Sequence, residues 1–525
     1  MNSAANSAAT NAAASAETRR SLVVYLAVSA YCLVFISRAV GGHFAPDDLM
    51  NMVWYWNDGF WRVLWHNFTF WSTAYRPLGG LYYLPIYAAF KLNSVPYRLL
   101  ILATVLANAC LSCRLAHLLT GSRSIALVTG ILGSAHVGLM IIYYANSSIY
   151  DILAYFFTML ILIRYIVIRR QGRLLSGGQI AMLAALFILA LDAKEMSVVI
   201  PGFVLSYEIF FHGTPWDGRD QRESGWIHWS RREGLLSLLL ILLAAIYTAG
   251  KIFGPHALSQ VESVYKIHIS RNLYTEDNLH YLNELYYTRF FDRGIKLFAV
   301  DSILLLGVGL ARKSPALRWT CFFLLTATLP ISIIPIHGNN ALYIPLFGWS
   351  LLAGMAVVKI AGIISPAITW SHFEIPRTAV RTALVIALVA WAGYWTADSS
   401  RYLSDFFRTD QQPAWSAIQQ FASLPFRPRP HSSVLILKDP FPGYEAFDIA
   451  ELTWNDHSLN VHLGRDYHAE PTAAEIATYD SVLTFEGGEL KVLRDGRRES
   501  RRNTPEPAAT SMSAWSTPAR PSTRP

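Results

Sequence analysis

Six ionisable residues stand out where the surrounding sequence leaves little charge: Asp47, Asp48, Arg76, Asp151, Lys194 and Glu195. Asp47 and Asp48 close the stretch Gly41-Gly42-His43-Phe44-Ala45-Pro46-Asp47-Asp48. An acidic pair of this kind serves as a general base or as ligands to a divalent metal, and spacing alone leaves both open. Arg76, in Tyr75-Arg76-Pro77-Leu78, offers a guanidinium suited to bidentate contact with a phosphate. Lys194-Glu195 puts two opposite charges into apolar sequence, where each is costly unless paired or solvated; Lys194 would supply positive charge to a phosphate. Asn146 and Asp151 follow Tyr143-Tyr144, and His337, Asn340 and Tyr343 cluster before a late apolar run, adding groups that orient a cation or an acceptor. Each also has a structural reading, as a solvated pair, a snorkelling Arg or an ion pair between helices.

The elements that position these groups follow from composition. The chain has 525 residues, 53% of them hydrophobic and only 15% charged, where about 25% charged is usual for a soluble chain. A mean hydropathy of +0.29 agrees, and an ordinary cytosolic enzyme is excluded. The expected fold class is an all-α polytopic membrane protein with a small β-rich C-terminal domain outside the membrane. The net charge of +8 does not point to nucleic acid, because the basic residues sit in short clusters between apolar runs.

Arg19-Arg20 before the first run places the N-terminus inside, and clusters such as Arg164 to Arg173 and Arg312 to Arg318 belong on the same side. About eleven spans satisfy that rule: 22–40, 98–118, 125–143, 149–168, a hairpin over 179–211, 234–253, 294–311, 317–336, 341–361 and 379–396. Leu78 to Phe90 is too short to span and reads as re-entrant or interfacial. The expected domains are a disordered cytoplasmic start (1–20), a membrane domain (21–397) with outer loops 41–98 and 254–293, a β-rich domain (398–493) and a disordered tail (494–525). The C-terminus then lies outside a membrane that is most simply a bacterial inner membrane.

The tryptophans and phenylalanines between Met50 and Trp71 suit helices at headgroup depth. Cys32, Cys110, Cys113 and Cys321 all lie in apolar stretches and read as small packing residues. His136 reads as a packing histidine, and His268 and His280 lack metal-ligand spacing. Nucleotide-binding loops, zinc-protease and serine-hydrolase motifs are absent from the sequence. Strands are expected at Ser433–Leu437 and Leu459–Leu463, with a hairpin over Val482–Val492.

The order of Asp47-Asp48, Tyr75-Arg76-Pro77-Leu78, the His136-to-Asp151 segment, Ala193-Lys194-Glu195-Met196 and Ala341-Leu342-Tyr343-Ile344-Pro345 resembles the GT-C superfamily of membrane glycosyltransferases. The likeness is to the protein O-mannosyltransferase-like branch and bacterial relatives of the transmembrane-and-TPR mannosyltransferases, without the TPR repeats. It covers roughly residues 22 to 360. The resemblance implies a polyprenyl-phosphate sugar donor, a protein, lipid or glycan acceptor, and inverting transfer at the outer face of the membrane. Asp47 or Asp48 would be the general base, Arg76 and Lys194 would hold the donor phosphate, and Asn146, Asp151, Glu195, His337, Asn340 and Tyr343 would orient groups. The cofactor question stays open, with a divalent metal on Asp47 and Asp48 as the one candidate. The chain departs from the family pattern at Asn146 and Asn340, where the family often has Arg. Other classes that fit the same charges are a polytopic transporter or lipid flippase, and a non-catalytic scaffold.

Overall fold

The computed structural model describes residues 2–72, 74–213, 226–254, 270–285, 304, 307–308, 313–334, 338–364, 369–370, 373–374, 377–467 and 470–495. They fall into two compact units, Met1–Ile418 and Gln419–Pro525.

The first unit is helical. Helix α1 (Asn2–Ile36) leads to α2 (Pro46–Asp58), α3 (Phe60–Phe68) and α4 (Leu78–Phe90). The chain continues through α5 (Ser94–Thr120), α6 (Arg123–Ser134), the single turn α7 (Ile141–Tyr144), α8 (Ile149–Arg170), α9 (Gly177–Ala193), α10 (Ile200–His212), α11 (Trp226–Arg232) and α12 (Leu235–Phe253). Then come α13 (Arg271–Leu285), α14 (Pro315–Ala327), α15 (Tyr343–Ile364) and α16 (Arg377–Ser423). Helix α5 packs on α1, α6 and α8; α6 also packs on α15, and α8 on α9. Local signals set the ends: Asn93 caps α5 by accepting from the Val95 amide at 3.2 Å, and Ser176 with Gln179 forms a capping box at α9.

Among the described residues, six helices are long and apolar enough to cross a membrane: Arg19–Gly41, Ser94–Thr120, Asn146–Arg170, Leu235–Phe253, Asn339–Ile363 and Thr378–Ser423. Leu78–Phe90, Arg123–Ser134 and Gly177–Ala193 are apolar but shorter.

Several sequence expectations change. The Ala-rich start read as disordered is helical from Asn2, as the high helix propensity of alanine favours. The run 125–143 is not one helix. It breaks after Ser134, where the His136 side chain accepts from the Gly138 amide at 3.1 Å and offers the backbone an alternative to the helical ladder. The run 317–336 stops being helical at Ala327, three residues before Pro330, which disfavours helix in the residue preceding it. Most of 294–311 lies outside the described residues, as do His268 and all of the C-terminal tail beyond Asp495. The four cysteines are free thiols, three of them buried.

The expected boundary at 397/398 falls in the middle of α16, whereas the second unit begins at Gln419, in the last turns of the same helix. That unit holds the expected small sheet, here of four strands, with helices in its connections. Strands Ser433–Leu437, Asn460–Leu463 and Ser481–Glu486 are parallel, and Glu489–Asp495 closes an antiparallel hairpin on the third. The helix Glu445–Trp454 connects the first two strands, the crossover that parallel pairing demands.

Candidate active site

The acidic pair sits in the first turn of α2, and its two members have opposite surroundings. Asp48 is fully buried and takes the Ala45 amide at 2.9 Å, the Asn146 amide group at 3.0 Å and the Ser147 backbone N–H at 2.5 Å. Burial pushes its carboxyl up, opposed by the Arg98 charge and those backbone donors. Asp47 is exposed, and its backbone carbonyl accepts from Asn51 at 2.6 Å. The surrounding protein raises its carboxyl above the ordinary aspartate value, with Arg76 the opposing charge. Asp48 ties the start of α2 to the 146–147 turn, while Asp47 is left open.

Arg76 is buried at a backbone φ of +40°, a conformation that costs an L residue about 1 to 3 kcal/mol and persists only when its surroundings impose it. The surroundings do so from several sides. The Tyr55 hydroxyl donates to the Arg76 carbonyl at 2.9 Å, Asn67 donates to the Pro77 carbonyl at 3.0 Å, and Lys251 Nζ donates to the Ala74 carbonyl at 2.5 Å. Two glycines allow the approach. A Cβ on Gly250 would lie 1.9 Å from the Trp71 carbonyl oxygen, and one on Gly79 would lie 2.2 Å from the Tyr150 ring. The guanidinium contacts the Tyr75 ring at 4.5 Å and the Tyr150 ring at 5.3 Å. It grips Glu195 through Nε at 3.2 Å and Nη2 at 3.1 Å, and its Nη1 donates to the Tyr75 hydroxyl at 2.5 Å.

Beside it, Lys194 Nζ donates to Asp151 at 2.7 Å, and Asn340 donates to the same carboxylate at 2.9 Å. Lys194 is extended (φ −161°), which ends α9 and aims the ammonium at the start of α8. Both Asn departures therefore do comparable work, each donating an amide hydrogen bond to a buried aspartate: Asn146 to Asp48 and Asn340 to Asp151. The amide keeps the bond and removes the positive charge that Arg would bring.

Asp48 and Asn146 form one group, Arg76 with Glu195 a second, and Asp151 with Lys194 and Asn340 a third; Tyr150, hydrogen-bonded to Tyr55 at 2.9 Å, precedes Asp151 in the chain. Tyr343 is elsewhere in character: it stacks on Tyr155 at 4.3 Å within the helix bundle and is 2% exposed. His337 lies outside the described residues. His136 is a packing residue, its Nε2 3.0 Å from the Leu285 carbonyl. A divalent ion shared by Asp47 and Asp48 does not fit these residues, because the Asp48 oxygens are committed to three donors and no group of three or more metal-ligating side chains occurs among the described residues.

Lys251 and Arg98 escaped the sequence reading, and Asp192, at the bend before Lys194, was given no role. Lys251 ends an apolar run as though it were a boundary charge, yet it is 8% exposed and its charge acts on Glu195 and Asp192. Arg98 opens α5 and donates to the carbonyls of His43 and Tyr143. Asp192 is 1% exposed with one oxygen lacking a hydrogen-bond partner. The available signal was the same for all three, a lone charge beside or within an apolar run.

No protein-family model matches the chain, and no curated protein does. Among solved structures, it is similar to ArnT from Cupriavidus metallidurans bound to undecaprenyl phosphate, at 16% identity and a TM-score of 0.48, over 84% of this chain and 85% of that one. It is also similar to the oligosaccharyltransferase AglB from Archaeoglobus fulgidus, in complex with an inhibitory peptide and a dolichol-phosphate, at 12% identity and a TM-score of 0.46. The match covers 84% of this chain but only 64% of AglB.

Proposed function

We propose that the chain is a membrane glycosyltransferase that moves a sugar from a polyprenyl-phosphate donor to a hydroxyl of a protein, lipid or glycan acceptor, with inversion at the anomeric carbon. In this reading Asp47 is the general base. It takes the acceptor proton as the acceptor oxygen bonds to the anomeric carbon, and the carbon–oxygen bond to phosphate breaks to release polyprenyl phosphate. Arg76 and Lys194 hold the departing phosphate and offset the charge it develops, while Glu195 and Asp151 keep those cations in place. Asp48, Asn146 and Asn340 are positioning residues. The reaction takes place on the outer face of a bacterial inner membrane, with the C-terminus on that side.

The observation that carries the reading is the split of one acidic pair. Asp48 spends its lone pairs inside the protein, while its neighbour Asp47 stays open and within the field of the caged Arg76. The test is transfer from undecaprenyl phosphate-linked hexose by purified Asp47→Asn and Asp48→Asn proteins. Asp47→Asn is expected to lose at least about a hundredfold in kcat with normal yield and melting behaviour. Asp48→Asn is expected to lose folded yield as well. Full activity in Asp47→Asn would sink the assignment.

A further inference from the structure

Helix α13 carries a second, separate polar feature. Asp277 is fully buried, and among the described residues neither of its carboxylate oxygens has a hydrogen-bond partner. A buried carboxylate without donors is costly, and native structures rarely keep one without a use. Its neighbours on α13 are fixed. Asn278 donates to Ser332 at 2.9 Å and accepts from Thr328 at 2.9 Å, and the Leu285 carbonyl meets His136 at 3.0 Å. His280, one turn from Asp277 on the same helix face, lies 3.2 Å from the Asn339 side chain. The next residue, Asn340, donates to Asp151, which holds Lys194. The empty acceptors of Asp277 are thus joined through α13 and the 339–340 turn to the cations assigned above to the phosphate.

We propose that Asp277, with His280 beside it, forms a subsite that accepts hydrogen bonds from the hydroxyl groups of the donor sugar. This rests on the transferase reading and extends it from the phosphate to the sugar. A carboxylate has lone pairs for two or more O–H donors and no hydrogens of its own, so it selects a polyhydroxylated ligand over an apolar or anionic one. Burial, with Glu276 adding to it and His280 opposing, lifts the carboxyl to about 6, so Asp277 remains mostly ionised at neutral pH and ready to accept.

The test measures binding of undecaprenyl phosphate and of undecaprenyl phosphate-linked glucose, mannose and galactose to the full-length protein in detergent, comparing wild type with Asp277→Asn, Asp277→Ala and His280→Gln. Asp277→Ala is expected to weaken binding of at least one sugar-bearing lipid by tenfold or more and to leave bare undecaprenyl phosphate unchanged. Asp277→Asn should melt at or above the wild-type temperature, since it removes an uncompensated buried charge; a purely structural Asp277 would lower it. Equal weakening for bare and glycosylated lipid, or no weakening for any, overturns the subsite while leaving the transferase reading standing. Wild-type protein that binds none of the four lipids overturns both.

Discussion

Helix α8 carries a buried ion pair at each end, and the two differ in how completely they are closed. At its C-terminal end Arg169 holds Glu208 through Nε at 3.0 Å and through Nη2, Tyr165 donates to the same carboxylate at 2.6 Å, and Arg169 Nη1 reaches the Arg173 carbonyl at 2.9 Å. At its N-terminal end the Lys194 ammonium lies 2.7 Å from both Asp151 oxygens, and Asn340 donates to the same carboxylate at 2.9 Å. The neighbouring Glu195 keeps 27% of its side chain exposed, Asp47 is open, and single oxygens of Asp192 and Asn146 lack partners. Charge inside apolar sequence therefore does not by itself mark a site. A pair with every donor and acceptor matched is a fastener, and a pair surrounded by strain and unmatched polar atoms is where a ligand's groups can be accommodated.

Breaking the closed end should have the largest effect on folding. Arg169→Met strands Glu208 in the interior, which typically costs about 3 to 5 kcal/mol, and should sharply reduce folded yield and melting temperature. The double change Arg169→Met with Glu208→Leu should recover much of that loss. If Arg169→Met instead abolished transfer in a protein of normal stability, the two ends would have to be exchanged.

The open end should respond in the opposite way. Arg76→Lys keeps the charge but loses the fork that grips Glu195 and meets both tyrosine rings. Transfer should fall about a hundredfold with a melting temperature close to wild type. A large loss of stability without loss of activity per folded molecule would make Arg76 another fastener.

A smaller effect is expected at Gly250. Alanine there must push the 71–76 loop away from α12 or shift the helix, because the contact is with backbone. Overpacking of this kind costs about 1 to 3 kcal/mol. The change should reach activity through Arg76, so kcat/KM should drop while Lys194 and Asp151, on other elements, hold their arrangement.

The smallest predicted effect extends the distinction to the second unit. Asp448 is pushed up to about 7 by burial and then by Glu451 and Glu445, and Glu451 to about 7 by burial and then by Asp456. Both values lie above the unfolded ones, so the native unit holds extra protons and their contribution to stability is complete below the unfolded values. It is lost as pH rises through about 7. Hydrogen exchange from the strands Ser433–Leu437 and Ser481–Glu486 in the full chain should therefore be faster, by at least about tenfold in opening equilibrium, at pH 8 than at pH 5 after correction for intrinsic rates. A pH-independent opening equilibrium would show that these carboxyls find partners in solution.

Much of this was legible in the chain. Run length and hydropathy located α5, α8, α12 and α15 to within a few residues, because an apolar stretch of about twenty residues has few other stable forms. Rarity of charge picked out Asp47, Asp48, Arg76, Asp151, Lys194 and Glu195. It missed Lys251 and Asp277 because a charge near the end of a run, or in a polar segment, looks ordinary until burial is known. It also treated Arg164 to Arg173 as a topology signal, since nothing local announces that Arg169 turns inward to Glu208.

The sequence by itself determined the membrane character, the helical class, the break at Lys194-Glu195 and the C-terminal strands, all of which depend on local periodicity and on the cost of exposing backbone or burying charge. Only the tertiary structure decided which aspartate of the pair is spent internally, which cation each carboxylate holds, and that Arg76 is forced into a left-handed backbone by Tyr55, Asn67 and Lys251. Those outcomes depend on contacts between residues up to 189 positions apart, such as Asn340 with Asp151, and chain order carries no record of which polar atoms remain unmatched once the helices pack.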